Sequence, residues 1–296
     1  MKRIKFKAAA AAILLSCTLV ACGEAGGGEG SDVAAEDDCD GKFEDGSRMA
    51  ELADAGEITV GVKYDQPGMG FKDAASDIPT GLDVEIAKLL VADLCIDPAD
   101  TDATTWEETI SDNREPYLEE GRVDIVLATY SITEERRQIV GQTGPYLITG
   151  QQILVPADSD VESKEDLQGE EVCSAEGSTS IENVEKEGMV PASAPDYSQC
   201  VEDVLNGTVP AMSTDGAILL GYAAQNEGEL KVVGEEFSTE NIGVGYSLDH
   251  PEMCGWINGV LEEAYEDGSW ADAFEATLGE GGAETPEPPP LDECPA

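Results

Sequence analysis

The chain has 296 residues, with 63 Asp or Glu, 16 Lys or Arg and one His, which gives a formal net charge of −47. This acidity argues against binding to nucleic acid and favours a surface suited to high salt or kept in solution by self-repulsion. The length allows two lobes of ordinary size, and the scarcity of cations makes each Lys or Arg in a polar motif informative.

The N-terminus has the pattern of a secretory signal peptide. A basic segment, residues 2–7, precedes an apolar segment, residues 8–20, that is too short to persist as a transmembrane helix. Leu19-Val20-Ala21-Cys22 resembles the lipobox of bacterial lipoproteins, which implies cleavage after residue 21 and lipidation of Cys22. Two acyl chains on that cysteine are sufficient for stable anchoring to a membrane. The alternative is an ordinary cleaved signal peptide that leaves a free cysteine.

Residues 22–42 are predicted to form a flexible acidic tether. They are rich in Gly, Ala, Asp and Glu, and such a segment buries too little apolar surface to fold. The acidic residues between Glu36 and Asp40 imitate the start of an EF-hand calcium loop, but Ser47 stands where the bidentate glutamate is needed. We therefore expect no metal site in this segment.

Six cysteines follow the tether's first residues, and an even number in an exported chain predicts three disulfides. Six cysteines allow 15 pairings. No Cys-x-x-Cys spacing occurs among them, so we expect neither a redox motif nor a zinc ribbon. The preferred pairs are Cys39 with Cys95, Cys173 with Cys200, and Cys254 with Cys294.

The first part of the body alternates strands and helices. Strand patterns occur at residues 58–62 and 123–128, and between them the spacing of apolar residues predicts helices over residues 82–94 and 111–119. This order predicts βαβ units and hence a parallel sheet. Gly144-Pro145-Tyr146 then interrupts the pattern.

A polar segment follows the most apolar of these strands. Residues 125–128 predict a strand buried on both faces, and Thr133 with the acidic residues after it predicts the start of a helix. Because α/β sheets bind ligands where strands end, Thr129 and Ser131 offer donors there, and the Arg136 guanidinium can pair with a carboxylate. The alternative is a surface arginine on a solvated helix.

A second α/β series begins near residue 151. Its predicted strands are residues 151–155, 171–174, 209–213 and 230–233, and its predicted helices begin near residue 178 and cover residues 199–205 and 217–225. A strand at residues 242–248 and two helices within residues 253–277 are assigned back to the first lobe. The chain then crosses between lobes twice. The predicted parts are residues 43–146 and 243–279 for lobe 1, residues 150–240 for lobe 2, and an extended proline-rich tail at residues 280–296.

The ordered motifs resemble the polar amino-acid solute-binding proteins of bacterial ABC importers (extracellular solute-binding family 3), and most closely the glutamate-binding lipoproteins of Gram-positive bacteria. The resemblance implies an α/β, two-lobed periplasmic-binding-protein-like fold of type II, with two doubly wound lobes joined by two crossover strands. The residues that carry it are 61–68, 81–87, 113–115, 121–136, 144–146, 177–179 and 214–215.

The resemblance also implies roles for nine residues in holding one amino acid at both ends. Arg136 with Thr129 and Ser131 grips the α-carboxylate, and Ser178 and Thr179 add donors from a helix N-terminus in the other lobe. The remaining roles are neutralisation of the α-ammonium by Asp215 and binding of a side-chain carboxylate by Lys63, Ser111 and Arg114. The alternative for Lys63 and Arg114 is solvated surface charge.

The implied function is that of a substrate-binding lipoprotein on the outer face of the cell membrane, which captures L-glutamate or a related amino acid and delivers it to an ABC permease. We expect a monomer with no cofactor, no metal and no nucleic-acid partner. The rival functions are a ligand-binding sensor lipoprotein and a dehydratase-like enzyme on the same fold. An enzyme is disfavoured because the single histidine, His250, is remote in sequence from the pocket residues and no nucleophile elbow occurs.

Overall fold

The computed structural model describes residues 33–35 and 39–295, so the predicted signal peptide, Cys22 and most of the predicted tether lie outside the described residues. Within the described part, the strands in chain order are β1 (Ile58–Val62), β2 (Asp65–Gln66), β3 (Gly70–Phe71), β4 (Thr104–Glu108), β5 (Ile125–Ser131), β6 (Gly141–Thr149), β7 (Gln151–Pro156), β8 (Glu171–Ala175), β9 (Val190–Ala194), β10 (Ala211–Asp215), β11 (Leu230–Val233) and β12 (Glu240–Tyr246). The α-helices are α1 (Arg48–Ala55), α2 (Leu82–Asp93), α3 (Arg114–Glu119), α4 (Thr179–Lys186), α5 (Tyr197–Leu205), α6 (Gly216–Gln225), α7 (Met253–Asp267) and α8 (Ser269–Phe274).

The first sheet has the spatial order β4-β1-β5-β12-β6. Strands β4, β1 and β5 are parallel, as the βαβ pattern predicted, whereas β12 runs antiparallel to both β5 and β6. Helix α2 packs against this sheet and against α7 and α8. Residues 82–87 at its start are all buried, because protein surrounds this end of the helix on every side.

The second sheet has the spatial order β11-β7-β10-β8-β9. Strands β10, β8 and β9 are parallel, and β7 is antiparallel to β10 and β11. Helices α4, α5 and α6 pack on its strands. The chain passes from the first sheet to the second between β6 and β7 and returns between β11 and β12. The predicted two-lobed α/β fold with two crossovers is therefore confirmed.

The three disulfides join the preferred pairs. Cys39 bonds to Cys95 just after α2, Cys173 in β8 bonds to Cys200 in α5, and Cys254 in α7 bonds to Cys294 in the tail. By restricting the unfolded chain, each contributes about 2–4 kcal/mol to the free energy of unfolding. The tail is also held by a hydrogen bond from the Asp292 backbone N–H to the Gly144 carbonyl.

The predicted helix after Thr133 is wrong. The chain forms only a short 3-10 helix at Arg136–Gln138, and the Thr133 hydroxyl oxygen accepts a hydrogen bond from the Arg136 backbone N–H. The reason is tertiary: β5 extends to Ser131 and β6 begins at Gly141, and because both strands pair with β12, residues 132–140 form the connection between them. Thr129 and Ser131 accordingly lie inside the strand and not in a turn after it.

Several elements carry too weak a pattern to be predicted. Strands β4 and β9 are edge strands, and each exposes part of a polar or small-residue sequence. Gly144-Pro145-Tyr146 lies within β6, where pairing with β12 supplies the order that local propensity does not. The strand predicted at residues 209–213 is shifted to β10, which brings Asp215 to the last strand position.

Candidate ligand-binding site

Polar side chains from both lobes converge on one small cavity between the two sheets. Seven of the nine residues expected at a ligand site line it, and the free space is about 10 Å³, room for at most one water molecule. The lobes are thus closed on each other, and an amino acid enters only when they separate. The lining residues are Gln66, Ser111, Arg114, Thr129 and Ser131 from the first lobe and Ser178, Thr179, Ser180, Tyr197, Asp215 and Ile218 from the second.

Arg114 forms the floor of the cavity and is only 2% exposed. Its Nε donates to the Ser111 carbonyl at 3.1 Å, and its Nη1 donates to the Ala128 and Thr129 carbonyls, both at 3.2 Å. Burial, and then the nearby Arg136, lowers the pKa of Arg114 to about 10. The guanidinium therefore stays charged at neutral pH, and the interpretation of this residue as a solvated surface charge is wrong.

Arg136 approaches the same place from the short helix after β5. Its Nη1 donates to the Ser131 carbonyl at 2.7 Å, and its Nε lies 3.0 Å from Glu115 Oε1. The guanidinium carbons of Arg136 and Arg114 lie 4.9 and 4.5 Å from the centroid of the Tyr130 ring, a distance typical of cation–π contacts. One aromatic ring and one carboxylate thus hold two like charges close together.

Both guanidinium groups also reach across to the second lobe. The Nη2 atoms of Arg114 and Arg136 donate to the same oxygen, the Gly177 carbonyl, at 3.1 and 3.0 Å. A carboxylate is a stronger acceptor for a guanidinium than a neutral carbonyl is. The arrangement is therefore suited to an anionic group entering beside Gly177 and replacing these two contacts.

Lys63 lies behind the cavity wall and is 1% exposed. Its Nζ donates to Ser111 Oγ at 2.8 Å, so the lysine reaches the cavity through that hydroxyl. Burial lowers the pKa of Lys63 to about 7, with Asp65 acting in the opposite direction. A neighbouring anion would restore its charge, and the surface-charge interpretation is wrong here too.

Thr129 has an unusual backbone for a non-glycine residue. Its φ is +42°, and the pairing of β5 with β12 is irregular at this point. The backbone N–H donates to Asp83 Oδ2 at 2.7 Å, and Tyr146 OH donates to Asp83 Oδ1 at 2.7 Å. This bend turns the Thr129 carbonyl toward Arg114, and positions of stored strain of this kind cluster at binding sites.

The wall from the second lobe contributes an acid. Asp215 ends β10, and its Oδ1 is buried without a hydrogen-bond partner. Burial, and then the nearby Glu240, raises the pKa of Asp215 to about 7. An ammonium group against this oxygen would supply both the missing donor and the missing charge.

The N-terminus of α4 supplies hydroxyl groups that are already engaged. Ser178 caps the helix by accepting from the Ile181 backbone N–H, and its hydroxyl donates to the Ala175 carbonyl at 2.7 Å. The Thr179 hydroxyl lies 3.3 Å from Ser131 Oγ across the cleft and 3.2 Å from Glu240 Oε2. These two residues line the cavity, but the Ser178 hydroxyl is already used in capping the helix.

Four lining residues were not predicted from the sequence: Gln66, Ser180, Tyr197 and Ile218. Gln66 lies within residues 61–68, one of the motifs that resemble the family, but an uncharged amide there did not indicate a role in ligand binding. Tyr197 begins α5, two residues before the predicted start of that helix. Nothing in the local sequence around Ser180 or Ile218 indicates that either faces a cavity.

The described residues contain neither a candidate metal site nor a membrane-spanning helix. In residues 33–35 and 39–295, no group of three or more His, Cys, Asp or Glu side chains is arranged to hold a metal ion. No helix in the same residues is both long and apolar enough to cross a bilayer.

Residues 58–280 match the family model of bacterial extracellular solute-binding proteins, family 3. The chain belongs to this family. It is 39% identical over 283 residues to the glutamate-binding protein GluB of Corynebacterium efficiens, covering 92% of this chain and 90% of the relative. It is 30% identical to the ABC transporter glutamine-binding protein GlnH of Bacillus subtilis, covering 96% and 100% of the two chains. A solved ancestral arginine-binding protein bound to glutamine matches with a TM-score of 0.70 at 33% identity, covering 76% and 98%.

Membership of family 3 makes this an extracellular solute-binding protein and not an enzyme. The fold that the resemblance implied, the type II two-lobed fold, is that of the solved family members. The cavity lies between β5 of one sheet and β10 of the other, both within the matched residues.

Proposed function

We propose that this family 3 protein binds L-glutamate, or a closely related acidic amino acid, between its lobes and delivers it to the permease of an ABC importer. The observation that carries the proposal is the charge distribution around one cavity. Arg114 lines the first-lobe wall, with Lys63 and Arg136 buried close by, and an unpartnered carboxylate oxygen of Asp215 lies in the second-lobe wall. A zwitterion with an additional carboxylate complements this distribution.

The contacts suggest how the ligand lies. Arg136, with Thr129 and Ser131, is suited to the α-carboxylate, and Asp215 to the α-ammonium. Ser111 joins Lys63 and Arg114 around the position for the side-chain carboxylate. The N-terminus of α4, with Ser178 and Thr179, faces these groups from the second lobe and favours negative charge.

Charge counting favours an acidic ligand over a neutral or basic one. Arg136 is already paired with Glu115, whereas no carboxylate lies within ion-pair distance of Arg114 or Lys63 in the described residues. Buried charges without a partner are unfavourable. A ligand carboxylate beside Arg114 and Lys63 would pair them, while a ligand cation there would add to the repulsion.

The strongly acidic surface does not prevent this. A carboxylate about 20 Å away repels a glutamate by roughly 0.2 kcal/mol in water, and salt screens most of that. A cation at about 4 Å, in an effective dielectric near 20, attracts it by roughly 4 kcal/mol. The local cations therefore dominate over the net charge.

The names of the relatives are consistent with this ligand class. The two GluB relatives are named as glutamate-binding, and GlnH is named as glutamine-binding within an ABC transporter. Of glutamate and glutamine, glutamate is the ligand that the buried cations favour. The lobes proposed from the sequence, residues 43–146 with 243–279 and residues 150–240, are the two bodies that would close on the ligand.

Isothermal titration of the purified protein with a panel of amino acids tests the proposal. L-Glutamate should bind at least about tenfold more tightly than L-lysine, a difference of roughly 1.4 kcal/mol. Equal or tighter binding of lysine would refute the acidic-ligand assignment. Binding of no amino acid at all would refute the proposed function as a whole.

We also propose that the protein is a monomeric lipoprotein anchored to the outer face of the membrane through Cys22, a residue outside the described part of the chain. The support is the lipobox in the sequence. Cells fed a labelled fatty acid should label the wild type but not Cys22→Ala, and the variant should be released into the medium. Retention of unlabelled Cys22→Ala at the membrane would contradict the anchor.

A further inference from the structure

Gln66 is a fully buried amide in the cavity wall with one end unused. Its Oε1 lies 2.7 Å from Thr129 Oγ1, whereas its Nε2 is buried without a hydrogen-bond partner. Of the four buried side-chain polar atoms without partners in the described residues, only this one and Asp215 Oδ1 belong to residues that line the cavity. A buried donor without an acceptor is unfavourable, so this end of the side chain points to a ligand atom.

In the structure, the contact of Oε1 with Thr129 leaves Nε2 as the end of the amide without a partner. Thr129 Oγ1 lies within hydrogen-bond distance of two oxygens, Gln66 Oε1 at 2.7 Å and Asp83 Oδ2 at 3.0 Å. One hydroxyl proton serves only one of them. If it points to the closer Gln66 Oε1, the second contact needs a proton on Asp83; if Asp83 is ionised, the hydroxyl points to Asp83 and the amide is reversed.

A neutral Asp83 fits its surroundings. The carboxyl group is fully buried, and burial raises its pKa to about 7. Its other contacts come from Tyr146 OH and the Thr129 backbone N–H. The chain from Asp83 through Thr129 to Gln66 Oε1 is then fully satisfied, and it leaves Nε2 as the free donor.

We propose that Gln66 is a specificity-determining residue whose Nε2 donates to the side-chain carboxylate of the ligand. Gln66 lies three residues after Lys63, and the carbonyl of its partner Thr129 accepts from Arg114. Gln66 is thus linked through Thr129 to Arg114 and is close in sequence to Lys63, the two cations assigned to that carboxylate. This inference rests on the proposed function, because it assumes an amino acid in this cavity.

The chemical consequence is a subsite made of donors. Lys63, Arg114 and Gln66 Nε2 can each donate there, and none of these groups can accept. A carboxylate offers two acceptor oxygens to such a subsite. The amide of glutamine offers one oxygen and one NH₂ group that would face other donors. Gln66 should therefore increase the preference for glutamate over glutamine beyond the preference that the two cations alone would give.

The test measures dissociation constants for L-glutamate and L-glutamine by titration calorimetry of the wild type, Gln66→Met and Gln66→Glu. Gln66→Met keeps the shape but removes the donor, and should weaken glutamate about tenfold and glutamine less. Gln66→Glu replaces the donor with an acceptor, and should weaken glutamate about a hundredfold or more and reverse the preference. The exposed Gln138→Met is the matched control and should leave both constants unchanged.

The ratio of the two constants separates specificity from structural damage. A general loss of packing would weaken both ligands equally, so a glutamate-to-glutamine ratio within twofold of the wild type in both variants would overturn the role of Gln66. Tighter glutamate binding in Gln66→Glu would also overturn it, because it would show that this position does not face the side-chain carboxylate of the ligand. A wild type that binds neither amino acid would instead refute the proposed function.

Discussion

Three cations, Lys63, Arg114 and Arg136, are buried in the described part of this acidic chain, and all three belong to one site. Burying a charge without a counter-ion is costly, so Lys63 and Arg114, which have no carboxylate within ion-pair distance in the described residues, destabilise the closed protein until an anion joins them. Their positions relative to the strands explain how these three residues come together. Lys63 follows β1, Arg114 follows β4 at the start of α3, and Arg136 follows β5, so the parallel strands β4, β1 and β5 bring all three to one edge of the sheet.

We expect substitution of Arg136 and of Arg114 to have different effects on ligand binding. Arg136→Ala should abolish measurable binding of every amino acid, because the α-carboxylate is common to all of them. Arg114→Ala should mainly erase the preference for an acidic side chain, lowering glutamate affinity at least about tenfold with little effect on neutral ligands. Titration calorimetry measures both.

Arg122→Ala is the matched control for these variants. Arg122 stacks on the Tyr117 ring and pairs with Glu107 on the surface. Its removal should leave binding unchanged. Undiminished binding in Arg136→Ala would show that the α-carboxylate lies elsewhere.

Glutamate affinity should be greatest near neutral pH. The pKa of Lys63 is lowered to about 7, and a bound carboxylate favours the charged lysine, so binding takes up a proton and affinity falls as pH rises above 7. The pKa of Asp215 is raised to about 7, and the ligand ammonium requires the ionised form, so affinity also falls as pH drops below 7.

Titration across this range should give a roughly tenfold loss of affinity between pH 7 and pH 8.5. Lys63→Gln should reduce this alkaline loss and keep the acid one, whereas Asp215→Asn should do the reverse. An affinity that stays constant from pH 6 to pH 8.5 in the wild type would rule out titration of either group in the site.

At the scale of elements, closure depends on contacts that flank the cavity. Asp65 Oδ2 in β2 accepts from the Tyr197 and Ser198 backbone N–H groups at 3.0 and 3.3 Å, so a first-lobe carboxylate meets the N-terminus of α5 in the second lobe. Tyr222 OH in α6 donates to the Asp65 carbonyl at 2.6 Å. The segment that contains Gln66 therefore also fastens the two lobes together.

Gly221→Ala should weaken ligand binding without unfolding the protein. Gly221 lies in α6, where an added Cβ would be 1.9 Å from the Pro67 carbonyl oxygen of the other lobe. Within its own helix alanine is favourable, so the substitution should mainly oppose closure. We expect glutamate affinity to fall at least about tenfold, and small-angle scattering to show a smaller ligand-induced compaction than in the wild type.

Gly259→Ala in α7 is the control for that substitution. Apart from its chain neighbours and the backbone of its own helix, no atom of the described residues lies within 4 Å of a Cβ added there. It should leave affinity unchanged and raise the free energy of unfolding by about 0.5–1 kcal/mol, measured by denaturant titration. If both variants bind like the wild type, the tight packing of α6 on Pro67 is not needed for binding.

For the whole molecule, the disulfides that stabilise the fold are not the contacts that control lobe motion. The three disulfides of the described residues each lie within one lobe: two secure the ends of the first lobe's chain segments, and Cys173–Cys200 secures the second lobe. None of these three crosses the cleft. They restrict the unfolded chain without restricting the hinge.

Reduction of the protein should therefore lower its thermal midpoint but leave glutamate affinity unchanged at temperatures where it remains folded. Each bond contributes about 2–4 kcal/mol, so the loss of stability should be large. Calorimetric scans and titrations with and without reductant measure the two quantities. A parallel loss of affinity in reduced, folded protein would mean that a disulfide positions the site.

The sequence by itself determined much of this protein. Local apolar periodicity was sufficient to predict strands such as β1 and β5 and helices such as α2. The reason is that burial of one or both faces requires apolar residues at closely spaced positions. The contiguous segment from Gly121 to Arg136 also predicts a carboxylate-binding edge, and that assignment stays a prediction. These features depend on residues a few positions apart, which is the range that a pattern can encode.

Only the tertiary structure decided which side chains meet. The missing helix after Thr133 and the edge strands β4 and β9 follow from pairing partners distant in sequence. Gln66 meets Thr129 63 positions away, and Arg114 meets the Gly177 carbonyl at a separation of 63 as well. Whether a polar atom is left without a partner depends on every neighbour that packing brings to it. That is why the unpartnered ends of Gln66 and Asp215 could be recognised only once both lobes were in place.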